Sequence, residues 1–431
     1  MHISFIGLGK LGLPCAVSVA MKGHDVKGYD LSSHRMSHSP QPYQEAGPDG
    51  TGDFNDYLAK ADTLSFGTMD EVAEFGDIIF LAVQTPHDAR YEGISRIPEE
   101  RVDFDYSYLA EASRLLAQSL KEKKIPTVLA IISTCLPGNV RKHILPLFKN
   151  LPLVSIAYNP FFIAMGTTMR DFIDPEFVLL GGDEDEQSRS ALDTVEEFYH
   201  TIHRAPIARM SIESAELTKV CYNTYISFKI AFANTVMEIC HNFPEADCDE
   251  VVDALSMAHR RIIAPTYMRG GMGDGGGCHP RDNIAMSHLA KDIPLSFDLF
   301  EAEMLCREKQ AEWLADMLIK LELEYRLPVV ILGTAFKPES NLVVGSPALL
   351  VASLLREKGC ISSALDEHVT NLPDKYNLAE PSVVLIGCRH PEYASYQFPK
   401  GSIVVDPFRY IPEQEEVRVI HIGKKENRRI L

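Results

Sequence analysis

Apolar positions along this chain follow two rhythms. Short, nearly continuous apolar runs at Ile3 to Ile6, Asp25 to Gly28, Asp77 to Val83, Thr127 to Ser133 and Leu153 to Ala157 alternate with longer amphipathic stretches. Runs of this kind read as parallel strands buried on both faces, with helices between them. Residues 39 to 60, rich in Pro, Gly and Asp, read as a long surface loop. From Ser211 to Cys240 the pattern becomes a helical run without Gly or Pro, with Ser211 as its N-cap and Glu213 and Glu216 in or near its first turn. Further helices are predicted near Asp249 to Ala258, Ile284 to Lys291 and Asp298 to Glu324. After Leu327-Pro328 the strand rhythm resumes at Val329 to Gly333, Cys360 to Asp366, Ser382 to Gly387 and, as the last strand, Ile403 to Asp406. Ser346-Pro347 opens a helix between the first two of these. The pattern predicts an α/β protein of two doubly wound, Rossmann-like domains joined by a helical central domain, divided as 1–205, 206–325 and 326–431.

The first strand runs into Gly7-Leu8-Gly9-Lys10-Leu11-Gly12, then a helix, then a second strand that ends at Asp30. This is a dinucleotide-binding fingerprint in its required context. Gly7 permits a tight turn, Gly9 a close approach to a pyrophosphate, and Gly12 close packing of helix on strand. Asp30 is placed to accept ribose hydroxyls and repel a 2'-phosphate, which favours NAD over NADP; Arg35 nearby reads either as a holder of a 2'-phosphate or as a cover over the adenine. Ligands of open parallel sheets lie beyond the carboxyl ends of the strands, so Thr85, Pro86, Ser133 and Thr134 join the cofactor-binding set.

Composition narrows the function. At 431 residues, 45% hydrophobic and 24% charged, the chain is globular and long enough for two or three domains. A net charge of -18 argues against nucleic acid, whose backbone is bound by clustered Lys and Arg. No apolar run reaches the ~20 residues of a membrane span, and the opening residues carry no secretory pattern, so a cytoplasmic location is expected. Nine cysteines without paired spacing read as reduced thiols, with neither disulfides nor a metal site. Basic residues gather at Arg260, Arg261, Arg269 and Arg281, compatible with a small phosphorylated substrate.

Those arginines flank the stretch Gly270-Gly271-Met272-Gly273-Asp274-Gly275-Gly276-Gly277-Cys278-His279-Pro280-Arg281-Asp282. Six glycines around one cysteine build no core but present a thiol well. On the long helix Lys219 and Asn223 are four apart and share a face.

Together these segments resemble the nucleotide-sugar 6-dehydrogenases, a family that includes the UDP-glucose and GDP-mannose enzymes. The resemblance covers essentially the whole chain. Its carriers are the opening fingerprint, Ala215-Glu216-Leu217-Thr218-Lys219 with Asn223, the cysteine stretch, and Gly333-Thr334-Ala335-Phe336-Lys337-Pro338 with Ser346-Pro347-Ala348. It implies two successive hydride transfers to NAD. The sugar C6 alcohol, of UDP-glucose by default, becomes an aldehyde, and Cys278 adds to form a thiohemiacetal. Oxidation gives a thioester, and water releases the uronic acid. Lys219 and Asn223 are implied to stabilise the oxyanion and Asp282 to position water. Lys337, Arg409, Tyr267, Phe336, Gly271 and Gly273 are implied to meet the substrate, with Phe161 and Phe162 beside it. Arg261 is implied to reach across a homodimer interface.

Three departures stand out. Where the family usually has Asn-Pro-Glu-Phe-Leu and a further glutamate, this chain has Asn159-Pro160-Phe161-Phe162-Ile163-Ala164-Met165-Gly166. Phe161 thus replaces the carboxylate credited with base work in thioester hydrolysis. Val344 stands where the third signature has an arginine, and His279 follows the cysteine in place of an apolar residue. Two other readings are a two-electron hydroxyacid dehydrogenase and a catalytically impaired nucleotide-sugar-binding protein.

Overall fold

A computed structural model of the chain describes residues 1–42, 45–86, 102–164, 166–243, 245–264, 270–275, 283, 286–287, 289–291, 293, 295–369 and 378–424. It divides into two compact units, Met1–Ser227 and Phe228–Leu431.

The first unit holds an eight-stranded sheet. Its strands are β1 (His2–Ile6), β2 (Asp25–Tyr29), β3 (Leu64–Phe66), β4 (Ile78–Leu81), β5 (Thr127–Ile131), β6 (Val154–Tyr158), β7 (Val178–Gly181) and β8 (Ile207–Met210). Their order is β3-β2-β1-β4-β5-β6-β7-β8, parallel except where β7 runs against β6. The helices of this unit are α1 (Gly12–Met21), α2 (Phe54–Leu58), α3 (Met69–Phe75), α4 (Ser107–Ser119), α5 (Leu145–Phe148), α6 (Thr168–Ile173) and α7 (Glu186–His200). Alternate residues of a strand serve opposite layers. Ile78 and Phe80 enter the core with Leu13 and Phe198, whereas Ile79 and Leu81 enter the core with Leu109 and Leu116. This two-sided burial accounts for the unbroken apolar runs, at about 1.5–3 kcal/mol per large side chain. The chain leaves β1 toward β2 on one side and returns as β4 on the other, which opens a crevice at their carboxyl ends.

The segment expected to be a surface loop, 39 to 60, is partly core. It contains α2, whose Phe54 and Leu58 are fully buried. Buried Glu45 accepts the amides of Thr168 and Gly166, so its charge rests at the start of α6. Lys123 does the converse work at the end of α3. Its buried ammonium donates to the carbonyls of Ala73, Glu74 and Gly76 at 2.7, 2.8 and 2.9 Å.

Helix α8 (Ile212–His241) runs across the boundary into the second unit, with the Ser211 hydroxyl accepting the Ser214 amide at 3.3 Å. There α9 (Cys248–Ser256), α10 (Leu299–Tyr325) and α11 (Pro347–Glu357) accompany a five-stranded parallel sheet. Its strands are β9 (Val329–Leu332), β10 (Ser362–Leu365), β11 (Val383–Ile386), β12 (Ile403–Asp406) and β13 (Arg418–His421), in the order β10-β9-β11-β12-β13. β13 lies beyond the strand expected to be last. Ser346 caps α11 by accepting the Leu349 amide, with Pro347 at the first helical position.

The second sheet repeats the corner of the first. Gly333 ends β9 with φ +93°, as Gly7 ends β1 with φ +93°. After the next strand Asp366 accepts the Thr334 amide at 2.6 Å, as Asp30 accepts the Leu8 amide at 2.8 Å. The loop that follows, Thr334 to Pro338, lacks the two further glycines of the fingerprint. Among the described residues no helix is long and apolar enough to cross a membrane.

Candidate cofactor and substrate site

A cleft of about 790 Å³ lies at the carboxyl ends of β1, β4 and β5. The fingerprint glycines Gly7, Gly9 and Gly12 line it together with Lys10 and Leu11. Each glycine answers to a different constraint. A Cβ on Gly7 would stand 2.5 Å from the Ala82 carbonyl oxygen, and one on Gly12 1.9 Å from the Gly7 carbonyl oxygen. Both positions are closed by the protein itself. A Cβ on Gly9 meets only an Arg35 nitrogen at 3.7 Å, so the fold alone leaves room there. The need for glycine at this position comes from what approaches it. Leu11, the N-cap of α1, supplies no side-chain cap; with the Leu13 amide bonded to the Gly9 carbonyl and no N–H on Pro14, the helix offers an anion chiefly the positive end of its dipole.

Asp30 and Arg35 form the far corner of the cleft. The carboxylate accepts the amides of Leu8 and Ser32, both at 2.8 Å, and lies 3.4 Å from the Arg35 guanidinium. On the opposite wall Thr85 donates to the Thr134 carbonyl at 2.9 Å, and the Ser133 hydroxyl donates to the Val83 carbonyl. These bonds tie the end of β4 to the end of β5. Pro86 stands outside the cleft lining, its carbonyl accepting the Asp105 amide. Tyr108, Glu111 and Leu115 of α4 also line the cleft, and the sequence reading named none of them. Their helical spacing was the available signal, but such a stripe reads equally well as ordinary packing.

Lys219 reaches the same cleft from α8. It is 9% exposed, and its ammonium lies 4.9 Å from the centre of the Phe162 ring. Burial holds its pKa below the usual lysine range. One turn earlier, Glu216 is fully buried and accepts the amides of Gly138 and Val140 at 2.6 and 2.8 Å. Burial pushes its carboxyl up despite those donors. Expected in or near the first turn of α8, Glu216 is there and anchors the helix to the loop beyond β5. Asn223 is exposed on α8.

Phe161 lines the cleft beside Lys219, packed on Phe172 at 5.5 Å and Phe80 at 6.3 Å between ring centres. Phe162 packs instead on Phe177 and Tyr222, each at 4.6 Å. The position expected to carry a carboxylate is therefore an aromatic wall. Asp30 and Glu111 are the carboxylates among the described cleft residues, and Glu111 is paired with Arg114.

In the second unit the described part of the glycine stretch lies against the loop after β12 and the loop after β9. A Cβ on Gly271 would stand 3.0 Å from the Phe408 ring, and one on Gly275 2.7 Å from the Phe336 Cβ. Arg409, itself at φ +60°, donates to the carbonyls of Gly270, Pro407 and Ile422. From α10, Arg307 pairs with Asp274 at 2.7 Å and Gln310 donates to the Gly271 carbonyl at 2.9 Å. Gly273 faces the same two helix side chains. Phe336, Arg409, Gly271 and Gly273 are thus brought together, with Lys337 exposed on the same loop as Phe336. Arg261 and Val344 are exposed. Tyr267, Cys278, His279, Arg281 and Asp282 lie outside the described residues.

A doubly wound sheet with this fingerprint, an open Gly9 and an acid at the end of β2 defines an NAD-binding dehydrogenase. The NAD binding domain of the UDP-glucose/GDP-mannose dehydrogenase family matches residues 1–203, and the central domain of that family matches residues 213–306. The chain belongs to this family of NAD-dependent nucleotide-sugar 6-dehydrogenases. Similar curated proteins include the GDP-mannose 6-dehydrogenase of Pseudomonas aeruginosa, 26% identical over 86% of this chain and 82% of that protein. The UDP-glucose 6-dehydrogenase TuaD of Bacillus subtilis is 26% identical over 84% of this chain and 75% of that protein. A ternary complex of GDP-mannose dehydrogenase from Pseudomonas aeruginosa shares the fold at a TM-score of 0.84 and 23% identity, covering 97% of this chain and 99% of that one.

Proposed function

We propose that this chain oxidises the C6 alcohol of a nucleotide-linked hexose to the uronic acid, passing two hydrides to two molecules of NAD through a thiohemiacetal and a thioester on Cys278. The observation that carries the reading is Lys219, a buried cation in the same cleft as the fingerprint glycines. A desolvated ammonium there offers an oxyanion a partner that water would otherwise screen. Gly7 to Gly12, Asp30 and Arg35 would hold the dinucleotide, and the bound nicotinamide would accept the hydride. Asn223 assists Lys219, and Asp282 positions water. Phe162 sets the Lys219 ammonium, while Phe336, Lys337, Tyr267 and Arg409 bind the nucleotide-sugar. Arg409 does so indirectly, by holding the carbonyl of Gly270.

UDP-glucose and GDP-mannose are the first two substrates to test. The first is the default of the sequence reading, and both are named by relatives of 26% identity. The three-part division at 205 and 325 and the homodimer belong to the same proposal. Exposed Tyr225, Ile226, Phe228, Phe232 and Met237 on α8 give a dimer apolar surface to cover.

The deciding experiment counts NADH against product with each sugar nucleotide. Two NADH per uronic acid, abolished in Cys278→Ala, is the expected result. One NADH per product would support the hydroxyacid-dehydrogenase reading, and none with any sugar nucleotide would support a binding protein.

A further inference from the structure

The carboxyl ends of β9, β10 and β11 gather a set of ligating groups that the oxidation does not use. Glu392 Oε1 lies 2.5 Å from His368 Nε2 and 3.8 Å from His390 Nδ1. The two imidazoles stack with centres 4.3 Å apart, and all three ligand atoms fall within 4.8 Å of one another.

The buried histidine is already held in a ligating tautomer. His390 is 0% exposed, and its Nδ1 accepts the Glu339 amide at 3.1 Å. The proton is therefore assigned to Nε2, which faces Asp366 Oδ2 at 3.4 Å. Asp366 in turn accepts the amides of Thr334, Ala335 and His368 at 2.6, 2.7 and 3.0 Å. A carboxylate behind one imidazole nitrogen is the usual outer support for a metal on the other. The adjacent cation, Arg389, directs its guanidinium to the Tyr410 ring at 5.4 Å.

We propose that His368, His390 and Glu392 form a site for a divalent transition metal of the zinc class. Two imidazoles and a carboxylate suit zinc better than magnesium or calcium. Zinc ligands bound at about 2.0–2.2 Å stand roughly 3.3–3.6 Å apart in a tetrahedron, so the spacings of 2.5 and 3.8 Å close with short side-chain shifts. The metal takes the Nδ1 lone pair now shared with Glu339, which stands at φ +54°. Occupancy therefore links the loops after β10 and β11 and frees the Glu339 turn of the loop that carries Lys337.

The test is zinc titration of metal-stripped full-length protein by calorimetry, in a Cys278→Ser background that removes a competing thiol. One equivalent of zinc is expected to bind and to raise the unfolding temperature. His368→Gln and Glu392→Gln, both at partly exposed positions, are each expected to weaken binding at least about 100-fold, more than the loss of an outer partner costs. Their metal-free unfolding temperatures check that they fold. Cobalt substitution should give visible bands of a tetrahedral centre that both variants lack. No zinc binding, or binding unchanged in the two variants, would overturn the proposal and reduce the cluster to a hydrogen-bonded corner.

Discussion

Lys219 holds its ammonium 4.9 Å from the centre of the Phe162 ring, with no carboxylate partner recorded among the described residues. The aromatic face returns part of the lost hydration, about 0.5–2 kcal/mol. The rest is a cost to the fold. Lys219→Met is therefore expected to stabilise the protein at pH 7 by on the order of 1 kcal/mol while lowering NADH formation about 10²–10³-fold. The sign of the pH effect follows from the direction of the shift. A lysine whose folded pKa is depressed penalises the fold fully below that pKa, and the penalty fades as pH rises toward the unfolded value of about 10.4. Urea unfolding at pH 7 and pH 10 should show the advantage of the variant shrinking in alkali.

Glu216 is a structural carboxylate one turn away. Removing it leaves the amides of Gly138 and Val140 without their acceptor in a buried site. Glu216→Ala is expected to cost about 2–3 kcal/mol, and Glu216→Gln less, because the amide oxygen still accepts. Because Glu216 fixes the height of α8 at Lys219, the alanine variant should also lose kcat under conditions where it remains folded. A stability loss with kcat unchanged would separate the anchor from Lys219.

What could be read in advance was local. The fingerprint, the two alternating regions and α8 all announce themselves within a single window, because turn glycines, apolar runs and a helix free of Gly and Pro act over neighbouring residues. β3, β8 and β13 stand at sheet edges and are only partly buried, which breaks the apolar run. β7 is an interior strand, fully buried, and its short run Val178 to Leu180 was passed over. The buried charges were out of reach for another reason. Glu45 meets Thr168 and Lys123 meets Ala73, each far along the chain, and the partly exposed His368 meets Glu392 in the same way. From composition alone all of them look like solvated surface.

The glycines of the fingerprint separate folding from binding. Gly12→Ala places a methyl carbon 1.9 Å from the Gly7 carbonyl oxygen and is expected to lower the unfolding temperature by several degrees. Gly9→Ala has its nearest recorded neighbour at 3.7 Å, so the unfolding temperature should hold. Its KM for NAD should rise about 10–100-fold, since the methyl stands where the cofactor approaches. Equal loss of stability in both variants would argue against a cofactor-driven requirement at Gly9.

Phe161 makes the last step of the reaction the most informative. An aromatic wall at this position supplies no base, so the thioester proposed on Cys278 is expected to form faster than water releases it. Intact mass spectrometry during turnover should detect enzyme heavier by the acyl group, and finding only unmodified enzyme would count against the idea. Phe161→Glu is the complementary experiment. It loses the packing on Phe80 and Phe172 and buries a carboxyl beside them, at an expected cost of about 2–4 kcal/mol in stability. Lys219 lines the same cleft, and its positive charge favours the ionised form of the new side chain, which burial disfavours. If hydrolysis limits turnover, the variant should clear the acyl-enzyme faster and raise kcat despite being less stable. Faster release with a lower unfolding temperature is a combination that improved folding alone does not produce.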